Sequence, residues 1–224
     1  MKKSAYIAAA ACALGLAVLS SCSSPAAYTV EGEVAGAEPG QKVAVEQFNG
    51  LQWLALDSVK IGKDSQFKYE GADSVAAFEI LRLGYNGQSI YFPVTQGSTI
   101  SISANAADFA GAYEMGGTPS AQSMMLADKL INASIAQQGA EATLADEQLK
   151  RQIVTDYILT DSIGAVAYYL IRKTCAGKPL FSPANRRDVM TMGAVATKLT
   201  QIYPTDARAL QLAADYMAAR QALG

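Results

Sequence analysis

Two periods divide the chain near position 118. From residue 28 to about 115, short apolar runs alternate with polar positions at every second residue, as strands with one buried face require. Tyr28, Val30 and Val34 share a side of the first run, apart from a gap at Gly32. Val43, Val45 and Phe48 continue the pattern, and Trp53, Ala55 and Asp57 oppose Leu54 and Leu56. Phe67 and Tyr69 alternate with Lys68 and Glu70, and Phe78, Ile80 and Arg82 with Glu79, Leu81 and Leu83. Residues 89–94 and 99–103 complete the set. Asn49-Gly50, Asn86-Gly87 and Gln96-Gly97 punctuate it; Asn-Gly suits a two-residue hairpin turn, where both central residues need positive φ. The pattern predicts an antiparallel β-sandwich or a partly open barrel over 28–118.

From Thr118-Pro119 onward the apolar positions recur at steps of three and four. Five helices are predicted over 119–224. The first runs from Pro119 to Gly139, the second from about Thr143 to Leu159, and the third from Asp161 or Ser162 until Gly177-Lys178-Pro179 breaks it. Ser182-Pro183 opens the fourth and Pro204-Thr205-Asp206 the fifth. The expected fold class is therefore α+β, a sandwich followed by a helical bundle.

The first 21 residues read as an address. Lys2 and Lys3 precede an apolar stretch over 5–19, which falls short of the roughly 20 residues a spanning helix needs. Leu19-Ser20-Ser21-Cys22 follows and looks like a bacterial lipobox, with Cys22 as the lipidated residue. The mature protein is then expected to begin at Cys22, to meet the membrane through acyl chains there, and to carry residues 22–27 as a tether. Ser23 is compatible with outer-membrane sorting, and no acid lies between Cys22 and Tyr28, which favours the periplasmic face. Cys12 would leave with the signal, so Cys175 is the one free thiol and no disulfide is expected.

Composition narrows the chemistry. The chain contains no histidine, which rules out a Ser-His-Asp triad and any His-based metal site. A net charge of −2 lacks the basic excess of a nucleic-acid binder, and 50% apolar with 17% charged residues is not a disordered composition. Residues 23–118 carry 11 acids and 5 bases; residues 119–224 carry 9 acids and 11 bases, so opposite charge can help the halves dock.

Each candidate group has a structural reading beside a functional one. Cys175, a possible thiol contact, sits near Arg172 and Lys173 on the predicted third helix; such neighbours activate an exposed thiol, but a lone Cys is more often a small core residue. Glu31 and Glu33 share one strand face and form a carboxylate pair, or an ordinary solvated face. Asp57-Ser58 suits local backbone capping. Asp146-Glu147 and Asp188 lie near helix starts, where they complement the dipole. Lys150-Arg151, Arg172-Lys173 and Arg186-Arg187 could converge on an anionic partner or stay isolated on the surface. Tyr157, Tyr168, Tyr169, Tyr203 and Tyr216 make either a core or an exposed binding cluster. No catalytic residue, metal ligand or cofactor is assigned.

The β half resembles the family called domain of unknown function 4369, over roughly residues 28–118. The resemblance rests on the strand Tyr28–Val34, a Gly-rich turn, a strand over 42–48, Asp57-Ser58, Gly62, the aromatic-x-aromatic strand Phe67-Lys68-Tyr69-Glu70-Gly71, then Phe92-Pro93-Val94 and the turn-strand over 97–100. It implies a sandwich in an exported bacterial protein. In many relatives a helical segment and a thioredoxin-like domain with Cys-x-x-Cys follow. Residues 119–222 look like that segment, whereas the thioredoxin-like domain and its cysteines are not found here, so redox activity is not carried over. The expected role is a non-catalytic envelope module with a protein or small-molecule partner, the helical half offering the surface. The alternatives are an accessory to a thiol-disulfide oxidoreductase on another chain, with Cys175 in a mixed disulfide, and an enzyme working through carboxylates alone.

Overall fold

The computed structural model describes residues 26–224; the expected signal segment, Cys22 and most of the tether lie outside the described residues. Eight strands form two four-stranded sheets: β1 (Tyr28–Ala35), β2 (Lys42–Phe48), β3 (Trp53–Lys60), β4 (Gln66–Gly71), β5 (Glu79–Tyr85), β6 (Gln88–Val94), β7 (Thr99–Asn105) and β8 (Tyr113–Gly116). One sheet has the order β4-β1-β7-β8 and the other β3-β2-β5-β6. All neighbours are antiparallel except β1 and β7, which run parallel. The antiparallel sandwich expected is thus found, with one parallel pair inside it. Gly32 makes the parallel pairing possible: a Cβ there would stand 2.0 Å from the Ile102 carbonyl oxygen. The gap in the alternation of β1 is thus a close approach of two backbones.

Val30, Val34, Val43, Val45, Leu81, Leu83, Ile90, Phe92, Ile100 and Ile102 fill the space between the sheets. Asn86-Gly87 joins β5 to β6 with φ of 47° and 78°, the primed turn its sequence demands. Asn49-Gly50 does not make a two-residue turn. The Asn49 side chain accepts from the backbone N–H of Leu51 and Gln52, both at 2.9 Å, and organises a longer loop.

Helix α1 (Pro119–Gln138) starts and stops where expected, with Thr118 accepting from the Ala121 amide and Gly139 ending it. The second predicted helix is three pieces: α2 (Ala140–Ala145), α3 (Glu147–Ile153) and a π-helical turn over Val154–Ile158. Asp146 interrupts it by capping α3, accepting from Gln148 and Leu149 at 2.9 Å each. Helix α4 (Ala165–Arg172) begins later than predicted, because Gly164 turns in with φ of 82°, and Asp161 reaches forward to the Ala167 amide at 3.0 Å. It also ends earlier: Thr174–Cys175 (β9) and Lys178–Pro179 (β10) form a small hairpin, so Cys175 is not helical. Helix α5 (Arg186–Ile202) is capped by Asn185 rather than opened by Ser182-Pro183, and α6 (Ala207–Ala222) by Asp206.

The helices pack around a buried cluster that the sheet joins through two residues. They lie against the outer face of the β3-β2-β5-β6 sheet, and Phe78 and Ile80 share one buried cluster with Met124, Val166, Tyr168, Leu170, Leu199 and Leu212. The β5-β6 side of that sheet is therefore covered on both faces, which explains the near-continuous apolar run Ile90-Tyr91-Phe92-Pro93-Val94, while edge strand β3 stays largely exposed. Charge assists the docking: Arg208 on α6 bonds Glu79 on β5 at 3.0 Å, and Lys129 on α1 bonds Glu114 on β8 at 2.7 Å.

Candidate functional site

The strands and helices meet in a seam whose walls are aromatic. Phe48 and Trp53 come from the ends of β2 and β3, Tyr91 from β6, and Tyr168 and Tyr169 from α4. Ring centroids lie 5.2 Å apart for Phe48–Trp53, 5.5 Å for Trp53–Tyr91, 5.6 Å for Tyr91–Tyr169 and 6.4 Å for Phe48–Tyr168, with tilted planes. They enclose a cavity of about 140 Å³, with Ile80, Arg172, Lys173 and Thr174 completing the wall. Arg82 lies over Trp53 at 4.6 Å and Lys173 over Tyr91 at 5.5 Å. Arg82 is itself held by Glu46 at 2.5 Å, a bond that keeps the Glu46 carboxyl below its ordinary pKa.

Behind this wall lies a buried clasp. Tyr169 Oη donates to Asp128 Oδ2 at 2.8 Å, while Lys173 Nζ donates to Asp128 Oδ1 and to Tyr169 Oη, both at 2.8 Å. A lysine beside a tyrosine can activate the phenol, but here burial and the Asp128 carboxylate hold its proton in place and push its pKa well up. The clasp ties α1 to α4.

The second concave feature is a groove between α5 and α6. Val189, Met190, Tyr216, Met217 and Leu223 give it an apolar floor, and Arg186 and Arg220 flank it; its volume is about 610 Å³. Met190 is 70% exposed, Met217 48% and Leu223 37%. Neither Arg186 nor Arg220 makes an ion pair among the described residues, all of whose salt bridges lie elsewhere.

The remaining candidates separate. Cys175 is 3% exposed, and burial pushes its thiol pKa up, with Lys173 pulling only weakly the other way. It is a core residue in the β9 hairpin, which argues against the mixed disulfide. Glu31 and Glu33 line an open trough of about 860 Å³ on the outer face of β4-β1-β7-β8, among Lys60, Lys68, Ser101 and Ser103. No group of three or more potential metal ligands occurs among the described residues. The Asp57 carboxylate accepts from the Ser58 amide at 2.6 Å on edge strand β3, the local capping expected. Asp188 occupies the first turn of α5, but it also bonds Lys150 at 2.7 Å in a pair with 7% and 3% side-chain exposure. Lys150 is thus no surface base, Lys173 is spent on Asp128, and the three basic pairs do not converge on one face. Tyr168, Tyr169 and Tyr203 enter the core: Tyr203 packs edge-on to Phe78 at 5.8 Å and donates to the Ile163 carbonyl at 3.0 Å.

The sequence reading missed Phe48, Trp53 and Tyr91 as a group. Aromatics on the outward parity of two adjacent strands were the available signal, since a solvated face would carry polar residues there.

Residues 28–124 match the family model described as Domain of unknown function (DUF4369). The sandwich is what this family model matches. The match runs across all eight strands and into α1, so the matched segment contributes the sheet side of the aromatic seam and leaves α4–α6 outside it. No curated protein matches the chain. No helix among the described residues is long and apolar enough to cross a membrane.

Proposed function

We propose that the protein is a lipid-anchored, non-catalytic interaction module of the bacterial envelope, held through Cys22 at the outer membrane and facing the periplasm. Its docking surface is the α5/α6 groove, and the occupant is an amphipathic helix of a partner protein that carries acidic residues beside an apolar stripe. The observation that carries this is the pairing of exposed Met190, Met217 and Leu223 with the unpaired Arg186 and Arg220. A groove between antiparallel helices receives a third helix by side chains at steps of three and four, and arginines on the flanks select acids. The exported setting rests on Lys2-Lys3, the apolar stretch over 5–19 and the lipobox-like Leu19-Ser20-Ser21-Cys22. Burial of Cys175 weighs against the alternative of a covalent partner to an oxidoreductase.

The test is a photo-crosslinking residue at position 190 of the full chain in its native envelope. The expected result is a discrete protein adduct, lost when Arg186→Glu and Arg220→Glu are combined. Adducts to lipid alone, or a protein adduct indifferent to the arginines, would overturn the reading. The anchor is checked separately: Cys22→Ala is expected to remove an acyl mass shift and release the protein from membranes.

A further inference from the structure

The aromatic seam shares no lining residue with the α5/α6 groove, and its features point to a smaller ligand. Its volume of about 140 Å³ is close to that of an apolar cavity that admits one benzene ring. Phe48, Trp53 and Tyr91 on one side and Tyr168 and Tyr169 on the other pack against one another at 5.2 to 5.6 Å and together wall the space, so an occupant meets aromatic surface on both sides. The pocket is too small for a drug-sized molecule and too aromatic for water to be its best occupant.

Arg172, Lys173 and Thr174 form the polar part of the wall, and buried within that wall are donors and an acceptor that the fold does not use. Arg172 Nη1 bonds Asp215 Oδ2 at 2.7 Å, yet Arg172 Nε and Nη2, which share the opposite edge of the guanidinium, have no hydrogen-bond partner. One turn earlier on α4, Tyr168 is 1% exposed and its Oη also lacks a partner. Orphaned polar atoms of this kind are uncommon in folded proteins, because each forfeits its hydration without a replacement. The neighbouring cation differs: Lys173 is fully engaged by Asp128 and Tyr169. The Nε/Nη2 edge of an arginine matches the two oxygens of a carboxylate in a bidentate pair. Arg172 is bonded to Asp215 through its far nitrogen and lies over the Tyr168 ring at 5.7 Å, which keeps the Nε/Nη2 edge and the Tyr168 hydroxyl close together.

We infer that the seam is a binding site for a small monocyclic aromatic carboxylate, with the ring among Phe48, Trp53 and Tyr91 and the carboxylate on the Nε/Nη2 edge of Arg172 beside the Tyr168 hydroxyl. The ring supplies desolvation and stacking; the arginine supplies orientation and the preference for an acid.

Trp53 is the one tryptophan of the chain, so its emission reports on this cavity alone. The experiment titrates the full chain, in detergent, with benzoate, benzyl alcohol and acetate while following Trp53 fluorescence. A saturable response to benzoate is expected, with benzyl alcohol roughly tenfold or more weaker and acetate silent. Arg172→Gln is expected to weaken benzoate by a similar factor while leaving benzyl alcohol unchanged. Thr174 is exposed at the rim, so Thr174→Phe is expected to fold normally and abolish the benzoate response by filling the mouth. No saturable response, equal affinity for the alcohol, or a benzoate response that survives Thr174→Phe would each overturn the inference. The α5/α6 groove takes no part in this assay, so its outcome is independent of the crosslinking result.

Discussion

The two sheets carry the same strand alternation but meet different fates on their outer faces. On β4-β1-β7-β8 the outward positions are Glu31, Glu33, Lys68, Ser101 and Ser103, and the face stays open to solvent. On β3-β2-β5-β6 they include Phe48, Trp53, Ile80 and Tyr91, and the helices cover them. A polar outward face needs nothing further. An aromatic one exposes a patch too large to leave in water, and burying it recruits the C-terminal half of the chain. The transition at residue 118 changes the local structure, and both buried clusters reach across it: Phe78 and Ile80 join the helical one, Ala121 and Met125 the one between the sheets. Gly117 marks it: with φ of 104° and the Thr99 carbonyl oxygen 1.9 Å from where a Cβ would sit, it turns the chain from β8 into α1 against the edge of β7.

The largest effect that tests this contrast is expected from Phe78→Ala. Phe78 is fully buried beneath the helices, against Tyr168 at 6.0 Å, Tyr203 at 5.8 Å and the Arg208 guanidinium at 4.5 Å. Its truncation is expected to cost about 4 kcal/mol in urea unfolding, through lost burial and a residual cavity. Ser101→Ala on the open face is expected to change stability by less than about 0.5 kcal/mol. The unfolding of the Phe78→Ala variant also bears on cooperativity. If helices and sandwich are one unit, far-ultraviolet circular dichroism and Trp53 emission fall together; a helical transition preceding the sheet transition would show that the layers are separable.

Next comes the pair inside the helical layer. Asp188→Ala strands the Lys150 ammonium, whose partner also accepts the Ser182 amide at 2.8 Å. The expected loss is about 3 kcal/mol, at the low end for a broken buried pair because a lysine can bend toward solvent. Replacing both members, Lys150→Met with Asp188→Leu, is expected to cost less than the single change. A double variant as damaged as the single one would show that the Ser182 contact, rather than the stranded charge, dominates.

How much of this could be read in advance differs between the layers for the same reason. The strands, the Asn86-Gly87 turn and the Thr118-Pro119 start are local: alternation, positive φ and a cap are written in neighbouring residues. The parallel pairing of β1 with β7 and the partnership of Phe78 with Tyr168 join residues about seventy or more positions apart, and no local period encodes them. The second helix reads as continuous in the sequence because its apolar stripe continues through Asp146, whose capping role depends on which amides face it. Lys150-Arg151 looked like a solvated pair for a similar reason, since the partner of Lys150 lies thirty-eight residues away. The exposed Met190 stood off the apolar stripe of its helix, which was the legible sign of the groove; the unpaired state of Arg186 and Arg220 was not legible at all.

A smaller effect is expected from acid. Burial alone would raise the Asp206 carboxyl above its ordinary value of 3.8, but the Arg208 hydrogen bond and charge outweigh it, and the pKa is lowered. The folded state thus binds this proton less readily than the unfolded chain. Its contribution to stability is complete above the ordinary carboxylate value and is lost as the pH falls through the lower folded value. Because Arg208 also holds Glu79, acidification loosens the joint between α6 and β5. Melting temperatures are expected to fall below about pH 4, and the fall to be shallower for Asp206→Asn, which starts lower at pH 7. A variant with an unchanged acid slope would remove Asp206 from the account.

The smallest effect should come from the open face. Glu31 and Glu33 stand two residues apart on one side of β1, with Lys68 opposite Glu31 across the β1–β4 ladder. Neutralising Glu31 forfeits some attraction to Lys68, which also has Glu70 at 2.6 Å, and relieves repulsion from Glu33. Both interactions act through solvent and are screened by salt, so they nearly cancel. The double change Glu31→Gln, Glu33→Gln is accordingly expected to change the unfolding free energy in urea by less than about 0.5 kcal/mol, in 20 mM and in 500 mM salt alike. A loss above about 1 kcal/mol that vanishes at high salt would mean that the trough holds its carboxylates for a purpose, and the two outer faces would then differ in what they bind rather than in whether they bind.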